Sequence, residues 1–572
     1  MPVVLDRAQL SSVSLRGSVL PSLSADGLYL RHGLGLDRLK VTGRDGNAVW
    51  LLGAHIGGQL DLTNTKLTND FGPALSADRL QVDGNAYLVS LTATGYGRNG
   101  AVRLPGARID GQLGLADARL TNRFGPALIA DGLHVGRDLL LNKLRASGRG
   151  EDGAVQLHSA HITGHFVLAS AQLTNKRGPT LDADGLRVDQ VASMEHLKAT
   201  GRGEDGAVRV PGAHIGSQLM LFDARLKNKT GPALIADGLQ VGSDIVLPIL
   251  KAVGHGAQGA VRLLSAHVTG QLRLDGAKLT NKSGPALIAD GLQVDDLASL
   301  QLVRVTGHGK EGAVRLLDAR IGGELAVSGR VTATGDERVI LDLQNAEVRG
   351  QLRLWDKTFW DAAFGSTEAE RPRVLLNGFT YRAQPKKPDA DTWLQVLRQC
   401  MPAYAPQPYR QLAEVCQAEG DEQRAKTTLI AQQDARGETL RHGPAHWRGA
   451  RAWHWISRQT VSYGYESTRA LWCFLAVLAI SCSLMIVADT HGLLVHPKTR
   501  ETARCGVVDT IGSAVDRTVP LLGLASASRC ELTNTRGAQW FFVASLVLQV
   551  LSWAFLTLFV AGFTGIVRKP ST

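Results

Sequence analysis

Residues 101–120 read AVRLPGARIDGQLGLADARL, and residues 127–146 read ALIADGLHVGRDLLLNKLRA. Aligned without gaps, the two stretches carry small or aliphatic residues at positions 2, 4, 7, 9, 13, 15, 18 and 20. Alternating apolar and polar residues, interrupted by Gly, Asp and Asn, predict short β-strands, whereas a helix would need spacings of three and four. The unit of this fold is therefore a coil of about 26 residues, the offset between the two stretches.

The pattern recurs through the first part of the chain. The dipeptide Ala-Val returns every 53 residues, at Ala48, Ala101, Ala154, Ala207, Ala260 and Ala313. Each 53-residue repeat holds two coils, and such coils bury their apolar residues only by stacking on neighbours. We expect a mainly β fold, a β-helix or solenoid of about 13 or 14 coils over residues 1–356. Right-handed winding is favoured because the coil exceeds the compact pentapeptide and hexapeptide types.

Composition narrows the class of protein. The chain has 572 residues, with 63 Gly, 5% aromatic residues and a net charge of +11, which disfavours a conventional α/β enzyme. Six Cys without a Cys-x-x-Cys pair exclude a zinc ribbon. Basic and acidic residues are interspersed without a basic run, so we expect no nucleic-acid partner.

Polar residues form two rows in the repeat. One row contains Asn69, Asn122, Asn175, Asn228 and Asn281, and the other contains Asp78, Asp131, Asp184, Asp237 and Asp290. We expect Asx turns, in which each side chain bonds to its own turn. Calcium is the alternative for the Asp row. Its members occur in every second coil and therefore lie roughly 9.5 Å apart, which is too far for one ion to bridge.

A glycine motif also follows the repeat. Gly95–Gly100 fits the dinucleotide fingerprint Gly-x-Gly-x-x-Gly, and so do four further stretches at 53-residue steps. The fingerprint requires a helix directly after it, whereas a strand pattern follows here, which indicates a coil corner. His161, His214 and His267 occupy an outward position held by Arg108 in another repeat. The sequence predicts no catalytic, cofactor-binding or metal-binding residues.

The 53-residue repeat ends at Trp355. We expect a cap and linker over residues 357–390, with RPRVLLNGFTY (371–381) as a final strand, and a helical adaptor over residues 391–459. The adaptor resembles a single tetratricopeptide-type hairpin, although arrays of that kind need about three units.

Residues 460–572 read as a membrane region. Two uncharged stretches, about 470–488 and 541–567, are long enough to cross a bilayer. Arginines precede the first stretch, Arg568 and Lys569 follow the second, and no signal peptide is recognised at the start. The positive-inside rule then predicts cytoplasmic termini at a bacterial plasma membrane, with loop 489–539 outside. Cys505 and Cys530 in that loop pair as a disulfide or remain two free thiols.

Two stretches bear on a channel. Thr460–Gly464 (TVSYG) is similar to a potassium filter but precedes the first span, on the wrong side for a pore. Residues 509–524, DTIGSAVDRTVPLLGL, lie between the spans and are suited to an amphipathic re-entrant segment.

Several motifs carry a family resemblance. They are Asn377–Tyr381 (NGFTY), Pro406–Tyr409 (PQPY) with Leu412-Ala413, Tyr463–Tyr465 (YGY), Val519–Leu524 (VPLLGL) and Ala561–Gly565 (AGFTG). The chain resembles, over nearly its whole length, actinobacterial β-helix-repeat membrane proteins commonly labelled membrane-associated oxidoreductases. The resemblance implies a membrane location, and the label implies redox activity.

Three functions follow as expectations. The first is a membrane-anchored solenoid that serves as an interaction or assembly scaffold at the cytoplasmic face, for a protein partner or for copies of itself. The second is a two-span channel gated by the solenoid, and the third is an oxidoreductase.

Overall fold

The computed structural model describes residues 1–43, 46, 48–308, 311–335, 337–386, 388–441, 467–495, 506–518, 531–532 and 536–563. The chain divides into two compact units, Met1–Gly420 and Asp421–Thr572, and each is considered by itself.

The first unit is a β-solenoid of about 13 turns, which confirms the predicted fold class. In a typical coil the strands are Val102–Arg103, Arg108–Ile109, Leu113–Gly114 and Arg119–Asn122, and we number the four sides that they form 1 to 4. Each strand pairs in parallel with its equivalents in the neighbouring coils. The hand of the coil stays a prediction.

Sides 1 and 2 are separate sheets of 15 strands each. The strands of side 1 are Val3–Val4, Leu23–Ser24, Val49–Trp50, Leu75–Ser76, Val102–Arg103, Leu128–Ile129, Val155–Gln156, Leu181–Asp182, Val208–Arg209, Leu234–Ile235, Val261–Arg262, Leu287–Ile288, Val314–Arg315, Val339–Asp342 and Arg373–Leu375. The strands of side 2 are Gln9–Leu10, Tyr29–Leu30, His55–Ile56, Gln81–Val82, Arg108–Ile109, His134–Val135, His161–Ile162, Arg187–Val188, His214–Ile215, Gln240–Val241, His267–Val268, Gln293–Val294, Arg320–Ile321, Glu347–Val348 and Thr380–Tyr381.

Sides 3 and 4 belong to one sheet of 25 strands. The strands of side 3 are Val13–Ser14, Leu34–Gly35, Leu60–Asp61, Ala86–Tyr87, Leu113–Gly114, Leu139–Leu140, Phe166–Val167, Ala192–Ser193, Leu219–Met220, Ile245–Val246, Leu272–Arg273 and Leu352–Leu354. The strands of side 4 are Val19–Leu20, Lys40–Gly43, Lys66–Asn69, Thr92–Gly95, Arg119–Asn122, Arg145–Gly148, Gln172–Asn175, Lys198–Gly201, Arg225–Asn228, Lys251–Gly254 and Lys278–Asn281. Two long strands, Ala298–His308 and Leu325–Thr334, run across both sides.

Alternating residues fill the interior of the solenoid. In one coil Leu104, Ile109, Leu115 and Leu120 point inward, and each is at most 2% exposed. Neighbouring coils cover the upper and lower faces of this apolar layer, so each coil depends on the next for its burial.

Coils of two lengths alternate along the solenoid. Val49 pairs with Leu75, and Leu75 pairs with Val102, so the second coil is longer than the first by a single residue. The additional residue lies in the corner between sides 4 and 1, where a corner around Asn122 alternates with the Gly-x-Gly-x-x-Gly corner. This alternation explains why the period of the sequence spans two coils instead of one.

The last coil is interrupted and covered by helices. Helix α1 (Lys357–Phe364) is inserted before the final strands of sides 1 and 2, within a segment for which the sequence analysis foresaw no helix. Helices α2 (Ala390–Gln399) and α3 (Pro406–Ala418) follow. Trp360, Trp393 and Tyr409 are fully buried here, and the indole of Trp393 donates to the Tyr381 hydroxyl at 3.0 Å. The three largest fully buried side chains of the described residues thus lie in the cap.

The second unit is mostly helical. Within its described residues the helices are α4 (Glu422–Arg441), α5 (Ser467–Thr490), α6 (Val507–Thr518) and α7 (Arg536–Phe563), and strands Leu494–Val495 and Glu531–Leu532 pair antiparallel. Residues 468–490 in α5 and 539–560 in α7 are long and apolar enough to cross a membrane, close to the stretches foreseen from the sequence. Met485, Ala488 and Ala514 form a buried cluster between α5 and α6.

Candidate interaction surface

The Gly-x-Gly-x-x-Gly motif forms a corner between sides 4 and 1. In its copy at residues 95–100, Gly97 has φ +97° and Gly100 has φ +83°. A Cβ on Gly100 would lie 3.0 Å from Cδ1 of Ile129 in the next coil. The motif runs into strand Val102–Arg103 and not into a helix, so it lacks the helix N-terminus that cradles pyrophosphate in dinucleotide sites.

The Asn row links successive corners. The Asn122 amide donates to the carbonyl of Gly97 in the preceding coil at 3.0 Å and to the carbonyl of Pro126 in its own corner at 2.8 Å. Its Oδ1 accepts from the Phe124 amide at 3.2 Å, which is the expected Asx turn. The side-chain amides of the equivalent residues donate in the same way: Asn69, Asn175, Asn228 and Asn281. This row is buried and holds the coils together.

The Asp row differs from the expected Asx turns. Four of its five carboxylates reach into the following coil, where Asp78 bonds to Arg103 at 2.6 Å and Asp290 to Arg315 at 2.5 Å. Asp237 pairs with Arg262 in the same way. Each arginine lies on side 1 of the following coil, in register with the residue two positions before the aspartate, and its charge competes with the local backbone for the carboxylate. Within the described residues, no group of three or more His, Cys, Asp or Glu is placed to hold a metal ion.

In one coil the arginine position is held by Gln156, and the partner of the Asp row is His158, two residues further along the chain. Its Nδ1 lies 2.7 Å from Asp131 and its Nε2 lies 3.3 Å from Asp182. Burial lowers the pKa of His158, but the hydrogen bond to Asp131 and the charges of both carboxylates outweigh it, and the pKa is raised above its usual value. Burial also raises the pKa of Asp182, against the opposing charge of Arg209.

Side 2 carries a row of polar residues in register. Its members point outward from consecutive coils: Gln81, Arg108, His134, His161, Arg187, His214, Gln240, His267, Gln293 and Arg320. The rings of His134 and His161 lie 5.1 Å apart, and burial, with the charge of Arg108, lowers the pKa of His134. His214 and His267 are exposed, as the sequence predicts. Side 2 thus offers a regular row of polar side chains, some of which also contact an aspartate of the same side, as Arg108 contacts Asp110.

Side 4 carries three outward rows. The first contains Lys40, Lys66, Thr92, Arg119, Arg145, Gln172, Lys198, Arg225, Lys251, Lys278, Arg304 and Arg330. Two residues further along the strands is a row of Thr42, Thr68, Thr94, Thr121, Ser147, Thr174, Thr200, Lys227, Val253, Thr280, Thr306 and Thr332. At the following corner is a third row of Asp70, Tyr96, Arg123, Arg149, Lys176, Arg202, Lys229, His255, Lys282 and His308.

We call these three rows the basic face. Nearly all of its Lys and Arg side chains are exposed, and Lys251 is half-buried. This face is not evident from the sequence because successive members of a row are a whole coil apart and form no local run. Aligning the 53-residue repeats column by column is the signal that reveals it.

A groove of about 350 Å³ lies near the cap. Trp355 stacks on Phe359 beside it, with 4.9 Å between ring centroids. Arg353 also lines the groove, but Glu324 already pairs with it at 2.8 Å.

Several predicted features fall outside the described residues. They are both cysteines of the expected disulfide, Cys505 and Cys530, and the filter-like stretch 460–464. Helix α6 covers the first part of the expected amphipathic segment, and Thr518 donates to Ser481 of α5 at 2.7 Å.

In comparisons with known proteins, no family model, no curated protein and no solved structure matches the chain. The resemblance to the membrane proteins labelled as oxidoreductases stays a prediction.

Proposed function

We propose that the protein is a membrane-anchored scaffold whose solenoid offers side 2 to a partner protein at the cytoplasmic face of a bacterial plasma membrane. The observation that carries the proposal is the in-register row on side 2. Adjacent members are separated by about 4.8 Å, the spacing of strands in a sheet. Such a lattice matches a partner that presents polar or acidic side chains at the same interval.

Anchoring is the second part of the proposal. The apolar stretches of α5 and α7 supply two spans, and the arginines before the first span, with Arg568 and Lys569 after the second, favour cytoplasmic termini. With this orientation, loop 489–539 lies on the oxidising side, and Cys505 and Cys530 pair there. Non-reducing mass spectrometry of membranes tests the pairing: a disulfide supports an outer loop, and reduced thiols at both positions overturn the pairing.

Site-specific photo-crosslinking tests partner binding. A photo-reactive amino acid replaces Gln81, Gln240 or Gln293 on side 2, and Ser193 on side 3 serves as the matched control. We expect an adduct with one defined protein, or with a second copy of the chain, from the side 2 positions only. Equal adducts from Ser193, or none from side 2 in cells, would contradict the proposal.

A channel is the second candidate, supported by the position of α6. This helix lies between the two apolar helices in the chain and packs its small polar residues Thr510 and Ser513 inward. A short helix between two spans is the minimal plan of a pore. Ion flux into liposomes that contain the full chain, abolished by Ser513→Leu, would replace the scaffold with a channel.

A further inference from the structure

We propose that the basic face docks on the anionic lipid surface of the membrane that holds the chain. The inference rests on the proposed anchoring, and it assigns to side 4 a lipid ligand distinct from the protein partner of side 2.

Lysine is confined to one part of the solenoid. Over residues 1–356 the lysines within the basic face are Lys40, Lys66, Lys176, Lys198, Lys227, Lys229, Lys251, Lys278 and Lys282. Lys143 lies at the corner that leads into the face, two residues before Arg145, and Lys310 lies two residues after His308 in the chain. Arginine, in contrast, occurs on every side. A compact, hydrated ammonium on a flexible stem suits an anionic surface without fixed geometry.

Most strand arginines of the other sides are engaged in ion pairs within the protein, Arg320 and Arg373 being exceptions among the described residues. On sides 1 and 2, Arg103 pairs with Asp78, Arg108 with Asp110, and Arg187 with Asp189. On the basic face, Lys251 pairs with Asp223 at 3.1 Å, and no other Lys or Arg of its three rows has an ion pair within the described residues. Among the described residues, these rows contain a single acidic residue, Asp70. The charge of this face is therefore available to an external anion.

The shape of the basic face favours a planar array of anions. Its coils repeat every 4.8 Å or so, its rows are about 6.6 Å apart, and it extends for roughly 50 Å. A lipid surface presents charge in two dimensions and engages all rows at once, whereas an extended acidic peptide follows one row. A DNA duplex is a cylinder that meets such an array of rows along a line. Single strands need a series of stacking platforms, whereas the Phe and Tyr side chains near the third row are Tyr96, Phe124 packed against it and the exposed Phe71.

Tethering strengthens the interaction. Two membrane spans in the same chain keep the solenoid near the bilayer, so docking is intramolecular and proceeds at a high effective concentration. Weak contacts from many Lys and Arg residues then suffice, and they depend on the anionic lipid content.

Amine footprinting of the full chain in lipid nanodiscs tests the inference. The protein is inserted into discs of phosphatidylcholine alone, or of phosphatidylcholine in which every third lipid is phosphatidylglycerol, and acetylation of each lysine is followed by mass spectrometry. Gln240→Lys supplies a reference amine on side 2. We expect Lys176, Lys198, Lys229 and Lys278 to react at least about threefold more slowly in the anionic discs, with no change at the reference amine. Salt at 1 M, where the Debye length is about 3 Å, removes the difference.

Two sets of variants separate charge from fold. Exchanging Arg145, Lys198 and Arg225 for Glu removes the protection of Lys176 and Lys229, whereas exchanging Arg108, Arg187 and Arg320 for Gln on side 2 preserves it. Circular dichroism verifies that both sets retain the β signal.

The outcomes separate this inference from the proposed function. Failure of the chain to enter discs of either composition overturns the anchoring, and the docking with it. Insertion without protection in anionic discs overturns the docking alone. Protection in neutral discs on addition of DNA or of an acidic protein, but not in anionic discs, assigns the basic face to that partner and overturns the lipid proposal.

Discussion

The side-chain amide of Asn122 donates a hydrogen bond of 3.0 Å to the main-chain carbonyl of Gly97 in the preceding coil. The same amide holds Pro126 of its own corner, so one buried side chain joins two corners of unequal length. The chain can therefore alternate shorter and longer coils and still keep the strands on all four sides in register.

Removing one member of this row destabilises the solenoid. In Asn228→Ala the carbonyl of Gly203 loses the side-chain amide, and the carbonyl of Pro232 keeps only the Ala207 amide. We expect a loss of about 1–3 kcal/mol in the free energy of unfolding. Urea denaturation of the full chain in detergent, followed by circular dichroism, measures it. The exposed neighbour Lys227→Ala is the matched control and changes stability by less than about 0.5 kcal/mol. Equal effects of the two exchanges would show that the amide does not join the corners.

The last glycine of the corner motif is required by packing. Gly206 has φ +98°, and a Cβ added in Gly206→Ala would lie 3.1 Å from Cδ1 of Ile235. Gly212 has φ +58°, and a Cβ added there would have no atom within 4 Å. We expect Gly206→Ala to cost at least about 1 kcal/mol more than Gly212→Ala. The same denaturation assay compares them. If Gly206→Ala instead releases a bound nicotinamide nucleotide without a change in stability, the motif is a cofactor site.

His158 makes stability depend on pH. Its pKa is raised in the folded protein, so its contribution is complete below the ordinary value of 6.5 and is lost as the pH rises through the raised value. The side chain is 35% exposed, which limits the contribution to between a few tenths and about 1 kcal/mol. We expect His158→Gln to be more destabilising at pH 5.5 than at pH 8.5. Thr121→Ser, on side 4, serves as the control, and an equal cost of His158→Gln at both pH values would contradict the ion pairs with Asp131 and Asp182.

The thiol of Cys400 is inert in the folded cap. Burial raises its pKa to about 12, so little thiolate forms near neutral pH, and the side chain is fully buried. We expect iodoacetamide to modify Cys400 at least about 100-fold more slowly than an exposed cysteine introduced by Thr121→Cys. Peptide mass spectrometry resolves the two sites. Comparable rates in the native protein would mean that the cap opens readily.

Much of the fold could be predicted because the patterns that define it involve residues close together in the sequence. The alternation in residues 101–120 defines the strands, and the 53-residue period defines the stack, so neither requires knowledge of long-range contacts. Helix α1 was missed because its eight residues are too few for a clear helical period, and Asp356 caps it only in the context of the last coil.

The surface features were harder to predict. The partner of Asp78 lies in the next coil, and its identity depends on whether the intervening corner is of the shorter or the longer kind. The basic face was hard to predict for the same reason. Arg119 and Arg145 lie side by side in the structure, but this can be seen only once the register across side 4 is known. Composition gave a net charge of +11 but not its distribution among the sides.

Native mass spectrometry of the full-length protein, extracted gently from its own membrane, tests the scaffold proposal most directly. The matched variant exchanges His134, His161 and His214 of side 2 for Ser. We predict that the wild-type chain carries a stoichiometric protein partner or a second copy, and that the variant loses it. An unbound chain in both preparations, a partner that the variant retains, or a bound flavin or nicotinamide mass would contradict the account.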